Sequence, residues 1–308
     1  MKKTIKYVFA SMCVGALIAV GACSDDKESL PKIDGYNNSD EVRAANLVAH
    51  WTFDDTYEED MSGAAPTTTV GTVSFVDGPL GKAADFNRGA MVYPTIAAIN
   101  TTDALGNFSV SLWVNIRGQK RVVGGGYQVF FGIIPDTTGF WGSIMMTAEA
   151  ARHLPNSDTL ELKNFLETAL AGGGLRGEDN VATRNNNPLE PGNPNDNGQT
   201  GAWFLGGQDW VHYVATWEGA TGFFKLYANG QDVGGYTKRG TTASNLRLQT
   251  PVHATFGSMA ASDLGFQNAT RPDWAPMLDG TIDDTRVFNA VLTQAEATAL
   301  YNLGLAGR

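Results

Sequence analysis

Residues 107–116 read Asn-Phe-Ser-Val-Ser-Leu-Trp-Val-Asn-Ile. Phe108, Val110, Leu112, Val114 and Ile116 fall on one side of a period of two, and Ser109, Ser111, Trp113 and Asn115 on the other. Successive strand side chains point to opposite faces, so this stretch is a strand with one face in a core. Its polar face carries one large aromatic, Trp113, and suits a ligand or a covering loop. Comparable short runs recur at 47–53, 71–76, 83–86, 90–93, 127–134, 210–217, 222–228, 231–236, 255–259 and 280–288, parted by clusters of Gly, Asn and Asp. Asn229-Gly230 between two such runs predicts a tight hairpin. With 36 glycines punctuating these runs, the pattern predicts an all-β architecture.

Two stretches leave that period. Asp158 with Glu161 forms a capping box, and Gly172-Gly173-Gly174 is a stop, which predicts a helix over 158–170. A second capping box, Thr293 with Glu296, opens a short C-terminal helix, with Gly304 past its end. Residues 185–201 are rich in Asn, Pro and Gly and read as a long loop. The whole of 136–202 is expected to be a partly helical insertion, since loops of this length are usually functional or disordered.

The chain opens with Lys2, Lys3 and Lys6, then an apolar run over 7–20 and the small residues Gly21 and Ala22. That order is a secretory signal peptide. The run is about 14 residues, short of the roughly 20 that span a bilayer. A buried N-terminal helix is the alternative, and a charge-free run between lysines and aspartates is poor design for one. Val20-Gly21-Ala22-Cys23 resembles a bacterial lipobox, which implies cleavage before Cys23 and lipidation of that residue. Ser24-Asp25-Asp26 resembles the acidic tag of surface-exposed outer-membrane lipoproteins in glycan-foraging Gram-negative bacteria. The expected organisation is a signal peptide over 1–22, a lipidated flexible tether over 23–44 and a domain over 45–308.

Both cysteines, Cys13 and Cys23, are consumed by this reading, so the mature chain has no disulfide and no cysteine-held zinc. Without the signal peptide, 19 basic and 32 acidic side chains leave a net charge of about −13. Such a chain repels nucleic acid and anionic membrane. It keeps carboxylates enough to hold calcium.

Five segments, in order, resemble the laminin-G-like, concanavalin A-like jelly-roll family. They are Leu47-Val48-Ala49-His50-Trp51-Thr52-Phe53-Asp54 with Asp60-Met61-Ser62-Gly63, Gly78-Pro79-Leu80-Gly81-Lys82-Ala83-Ala84-Asp85-Phe86, and Asn107 to Val114. Trp210 to Trp217 leading to Lys225-Leu226-Tyr227-Ala228-Asn229-Gly230 is the fourth, and Leu278 to Phe288 with Leu292-Thr293-Gln294-Ala295-Glu296 the fifth. The resemblance covers about 47–135 and 203–305, and implies two antiparallel sheets packed face to face. It leaves function open, because one fold hosts lectins, adhesion domains and glycosidases.

Glycosidases of this fold carry alternating carboxylates on one strand, Glu-x-Asp-x-Glu or Glu-x-Asp-x-x-Glu, and no such run occurs. In related jelly rolls a structural calcium sits between terminal segments, which nominates Asp54, Asp60 and Asp283 as ligands. The alternative is that these are turn formers, with Asp284 and Arg286 paired across one strand face. Trp51, Trp113 and Trp217 belong to the family framework, where packing is the expected role. Trp141, Trp203 and Trp274 stand outside it in loop-rich contexts, and sugar rings stack on exposed aromatic faces. Trp113, Trp141, Trp203 and Trp274 are therefore the candidate carbohydrate contacts, with the insertion bringing Trp141 and Trp203 to the rim of the Trp113 face.

The leading expectation is a lipid-anchored outer-membrane protein, facing outward, that captures polysaccharide or glycoconjugate. Its expected partners are the surface lipoproteins of a glycan-uptake system, and structural calcium is its expected cofactor. A protein-binding adhesion module and a glycoside hydrolase are the alternatives.

Overall fold

In the computed structural model the described residues are 30–101, 104–116, 126–135, 139–149, 159–169, 175–182, 200–201, 204–205, 209–236, 247–248 and 251–308. Cys23, Trp203 and most of the 185–201 loop lie outside them.

In chain order the strands are β1 (Leu47–Trp51), β2 (Thr68–Gly78), β3 (Gly81–Val92), β4 (Asn107–Asn115), β5 (Tyr127–Pro135), β6 (Ile144–Glu149), β7 (Thr159–Ala169) and β8 (Leu175–Ala182). They continue as β9 (Thr200–Gly201), β10 (Phe204–Leu205), β11 (Val211–Glu218), β12 (Phe223–Ala228), β13 (Gln231–Tyr236), β14 (Arg247–Leu248), β15 (Pro251–Phe256) and β16 (Leu278–Phe288). An α-helix, α1 (Gln294–Leu305), follows. Hydrogen bonding runs β10-β7-β6-β5-β15-β3-β16-β4-β11-β12-β13-β9, with β1 on β16, β2 on β3, and β8 and β14 on β7. Every pairing is antiparallel.

This ladder curls around a single core, the concanavalin A-like β-sandwich. Phe108, Val110, Leu112 and Val114 of β4 enter it, together with Tyr213 and Ala215 of β11 and Phe131 and Ile133 of β5. Trp51 sits at its centre, with Tyr93, Phe131 and Phe256 at 5.5, 5.6 and 5.3 Å between ring centroids. Such pairs add about 0.5–1.5 kcal/mol each beyond the area they bury. The Asn229-Gly230 hairpin forms between β12 and β13, with φ of 49° and 72° as its turn requires.

Where a helix is expected over 158–170, the described residues Thr159–Ala169 form a strand. In β7, Leu160, Leu162 and Leu166 point to the core, alternating with Glu161, Lys163 and Phe165. The register Ala148↔Leu162 and Ile144↔Leu166 holds it against β6. Pairing with β6 and burial of alternate leucines outweigh the helix propensity of Leu, Glu and Lys, worth only tenths of a kcal/mol per residue. Within 136–202, the described strands β6 and β7 extend the ladder, and Ile144, Met146 and Ala148 join the main core.

Residues ahead of the expected boundary at 45 also pack with the domain. Contacts divide the chain into Met1–Pro31 and Lys32–Arg308, and every strand among the described residues belongs to the second unit. Residues 33–46 form a strap over α1. Val42 is buried with Leu292, Leu300 and Leu303, and Ile33 and Tyr36 pack beside it. A sequence of Asn, Ser, Asp and Gly reads as a tether, but here its few apolar residues find a helix to cover.

Helix α1 starts with the expected capping box: Thr293 Oγ1 accepts from the Glu296 N–H, and the Glu296 carboxylate accepts from the Thr293 N–H. It runs through Gly304 instead of stopping before it. A Cβ at Gly304 would stand 2.5 Å from Trp113 Cζ2 and 2.8 Å from Cε2 and Nε1. Gly304 is therefore needed for close approach. Gly304→Ala should lower stability: overpacking against a buried indole costs about 1–3 kcal/mol, more than the roughly 1 kcal/mol gained in helix propensity. Urea unfolding of residues 24–308 measures this, and an unchanged or higher midpoint would show that the helix can shift off Trp113.

Candidate functional site

The curled ladder has two outward faces. On the half formed by β5, β6 and β7, Tyr127, Val129, Met145 and Phe165 point away from the main core. Two loops close over them. Trp141, in the loop between β5 and β6, lies on Phe165 with centroids 4.3 Å apart and planes at 12°. Trp274, in the loop before β16, stands edge-on to Tyr127 at 5.4 Å and 5.8 Å from Trp141. Phe140 fills the angle, 5.2 Å from Trp141 and 5.9 Å from Trp274.

Hydrogen bonds tie down the elements under these rings. The Tyr127 N–H donates to the Trp274 carbonyl at 3.2 Å. Arg271 Nε donates to Ser258 Oγ at 2.8 Å, and its Nη2 donates to both Asp263 oxygens at 2.8 and 3.0 Å, fixing the loop that carries Trp274. Thr147 Oγ1 donates to the Lys163 carbonyl at 2.9 Å and lies 3.0 Å from the Tyr127 hydroxyl. Lys163 Nζ stands 5.8 Å from the Tyr127 ring centroid and 3.8 Å from Glu161 Oε1. Trp274 remains 41% exposed, the largest open aromatic surface among the described residues, and Trp141 is half-buried beside it. An exposed indole offers the apolar contact that the C–H face of a sugar ring needs.

The structure thus brings Trp141 and Trp274 together, but not on the face that carries Trp113. Trp113 points outward from β4, on the other half of the ladder, and is buried at 1% exposure. It lies against Tyr301 at 5.7 Å and His212 at 5.1 Å, under α1. The polar positions around it are absorbed internally. Ser109 Oγ donates to the Ala290 carbonyl and accepts from the Leu292 N–H, and Ser111 Oγ bonds His212 Nε2 at 2.8 Å. Burial lowers the His212 pKa to about 3, so the ring stays neutral. The covering element is the chain's own C-terminus, so Trp113 is no ligand contact. Trp51 and Trp217 are core residues, as a framework role requires. Sequence reasoning missed Tyr127, Phe140 and Phe165 as supports of the platform. The Gly139-Phe140-Trp141-Gly142 run was their one visible signal.

The aspartates divide in a similar way. The β2–β3 turn brackets two of them: the Leu80 N–H donates to Asp283 Oδ2 at 2.9 Å, and the Lys82 N–H donates to Asp54 Oδ1 at 2.6 Å. Gly78 and Gly81 make room, since a Cβ on either would run into the Asp283 and Asp54 carboxylates respectively. Asp283 Oδ1 is buried with no partner. Burial pushes the Asp283 pKa up to about 8, with the Asp284 and Asp54 charges adding to the rise. A cradled, orphaned carboxylate oxygen beside a second carboxylate fits a hard cation. Asp60 does not join them. Its Oδ2 accepts from the Thr52 N–H at 3.0 Å and lies 3.9 Å from His50 Nδ1. Among the described residues no three His, Cys, Asp or Glu side chains gather as a metal set, so the expected trio reduces to Asp54 and Asp283.

With cations chelated, Asp283 should make stability fall as pH rises. The folded carboxyl holds its proton to about pH 8, whereas an unfolded Asp releases it near pH 4, so unfolding releases a proton in between. Unfolding free energies from urea titrations at pH 5 and pH 8.5 should differ by more in wild type than in Asp283→Asn, by roughly 1–3 kcal/mol, the cost of an unsatisfied buried group. Equal pH responses would show that Asp283 is not desolvated.

Comparison with known proteins agrees with this architecture. Residues 192–298 match the family model described as the concanavalin A-like lectin/glucanases superfamily, Laminin_G_3. No curated protein matches the chain. Among solved structures, domain 4 of AbnA, a GH43 extracellular arabinanase from Geobacillus stearothermophilus solved with arabinotriose, superposes with a TM-score of 0.50 at 19% identity, over 83% of this chain and 98% of that domain. The binding domain of Paraclostridial Mosquitocidal Protein 1 gives 0.53 at 13% identity, over 84% of this chain. A botulinum neurotoxin type C structure, reported for cell entry that depends on two ganglioside molecules, gives 0.51 at 15% identity over 83% of this chain. The chain spans about half the length of these two toxin chains. At such identities the likeness is one of fold, and the fold of this chain is the concanavalin A-like jelly roll, with its C-terminal strands in the laminin-G-like family match.

Proposed function

We propose that this protein is a glycan-binding module and that sugar stacks on the platform of Trp274 and Trp141. The observation that carries this reading is the 41% exposed Trp274, held beside Trp141 by strands and a fixed loop. Rigid aromatic surface binds at little entropic cost, because the rings are already ordered. The arabinotriose complex and the ganglioside-dependent toxin among the structural neighbours support a carbohydrate ligand on this fold. Within the reading, Cys23 carries lipid and the domain captures polysaccharide or glycoconjugate at the outer face of the outer membrane, serving the surface lipoproteins of an uptake system.

The test is a polysaccharide screen of residues 24–308 followed by calorimetry on Trp274→Ala and Trp141→Ala, each first shown to melt like wild type. Stacking contributes about 1–3 kcal/mol per ring by analogy with nucleobases, so each variant should bind about 5- to 150-fold more weakly. Normal binding by both variants would place the site elsewhere. A wild type that binds no glycan, yet adheres to a protein surface, would favour the adhesion reading.

We also propose that calcium is a structural cofactor held by Asp54 and Asp283. Bound there, the ion would neutralise the buried Asp283 carboxylate and the exposed Asp54 carboxylate beside it, and tie β16 to the β2–β3 turn. Calcium in excess of its dissociation constant by about 100-fold should add about 2.7 kcal/mol by mass action. Asp54→Asn and Asp283→Asn should lose that gain. A wild-type melting temperature that ignores calcium after chelation would overturn the proposal.

A further inference from the structure

We infer that the domain stands on its membrane with α1 and the 33–46 strap facing the lipid and the Trp141–Trp274 platform facing away. This rests on the lipid anchor at Cys23.

The strap is locked down at each of its turns. Asp34 Oδ2 accepts from Asn302 Nδ2 at 2.7 Å, and the Ser39 N–H donates to the Arg308 carbonyl at 3.1 Å. Asp40 pairs with the buried Arg286 at 3.0 Å, and Arg43 with Glu296 at 2.6 Å. Arg286 Nη2 also donates to Ser39 Oγ at 2.9 Å, and Ser39 itself is 4% exposed. The chain is therefore held to the domain from about Ile33 onward, and the expected tether to residue 44 loses most of its length. Only the eight residues Ser24–Pro31 separate Cys23 from the domain's first residue.

Eight residues reach at most about 30 Å when fully extended. A domain of this size has a radius of gyration of about 19 Å, so its diameter is about 48 Å and half its girth about 75 Å. The tether is too short to pass around the domain. Whatever path it takes, the point where the strap begins stays within about 30 Å of the lipid. The strap and α1 cover the outward face of β1, β16, β4, β11 and β12, and the platform covers the outward face of β5, β6 and β7. The core lies between the two faces, so bringing one to the membrane turns the other toward the medium, where a polysaccharide arrives. The covering of Trp113 and the placing of Trp274 then belong to one arrangement: α1 and the strap occupy the anchored face and leave the other for ligand.

The experiment uses the lipidated protein purified from membranes, which has no other cysteine once the signal peptide is removed. Leu305→Cys, at the exposed end of α1, and Asp273→Cys, beside Trp274, are each labelled with a donor dye. Both are reconstituted into phosphatidylcholine vesicles bearing acceptor-labelled lipid. Energy transfer should be strong from position 305 and weak from position 273. Insertion of a long Gly/Ser segment between Pro31 and Lys32 should bring the two values together. Equal transfer in the unextended protein, or stronger transfer from 273, overturns the orientation while leaving the anchor intact. A Cys23→Ala variant that pellets with membranes like wild type, or wild type recovered without lipid on Cys23, overturns the anchor and the orientation with it.

Discussion

One extra residue in β16 decides where the chain's buried charges go. Ile282 and Val287 both face the core although they lie five residues apart, an odd spacing that a regular strand forbids. The register shifts between Asp283 and Arg286, and Asp284 takes φ of 46°, in the left-handed region. Without this bulge, alternation from Ile282 would send Asp284 into apolar packing. With it, Asp284 meets Arg286 Nε at 3.0 and 2.9 Å and His50 Nε2 at 2.7 Å. Burial alone would raise the Asp284 pKa, but the Arg286 charge and the His50 hydrogen bond hold it well below the usual carboxylate range. Removing one partner of such a cluster leaves a buried charge uncompensated, at a cost of about 3–5 kcal/mol.

The strap and the placing of Asp283 beside Asp54 both depend on that bulge. Arg286 continues outward from Asp284 to Asp40 and Ser39, so the N-terminal strap docks on a guanidinium that the bulge has aimed. On its other side the bulge delivers Asp283 to the turn of residues 78–82, beside Asp54. Two adjacent aspartates in sequence thus acquire different environments. Asp284 is ionised by its cationic neighbours, and Asp283 is left short of one.

The two outward faces of the ladder have different fates for a packing reason. On the β4–β11–β12 side, Val214, Tyr227 and Phe288 present apolar surface that the chain covers with α1 and the strap. Buried serines there bond to backbone or to His212, so the face closes without unmet hydroxyls at Ser109 or Ser111. On the β5–β6–β7 side the cover consists of two aromatic loops, and part of one indole stays in contact with water. Among the described residues, the open aromatic surface is on the second side.

Much of this was legible in the residues themselves. The period of two at 107–116, the Asn229-Gly230 turn and the Thr293–Glu296 box are local signals, and each specifies backbone geometry with no help from distant chain. They determine an all-β framework with a terminal helix, and the loop contexts of Trp141 and Trp274 mark those residues as unlike the core tryptophans. Other features were settled by partners far away in sequence. Residues 159–169 carry both helical propensity and alternating leucines, and only β6 decides between them. Trp113 looks like a ligand contact on a polar face until Gly304, nearly two hundred residues later, lets a helix press on its ring. Residues 33–46 look like a linker until Arg286 and Arg308 bind them. Alternation and turn chemistry are properties of neighbouring residues, so the sequence alone determines them. Which face is covered, which charges are compensated and which tryptophan stays open depend on burial, and burial exists only once the ladder has curled.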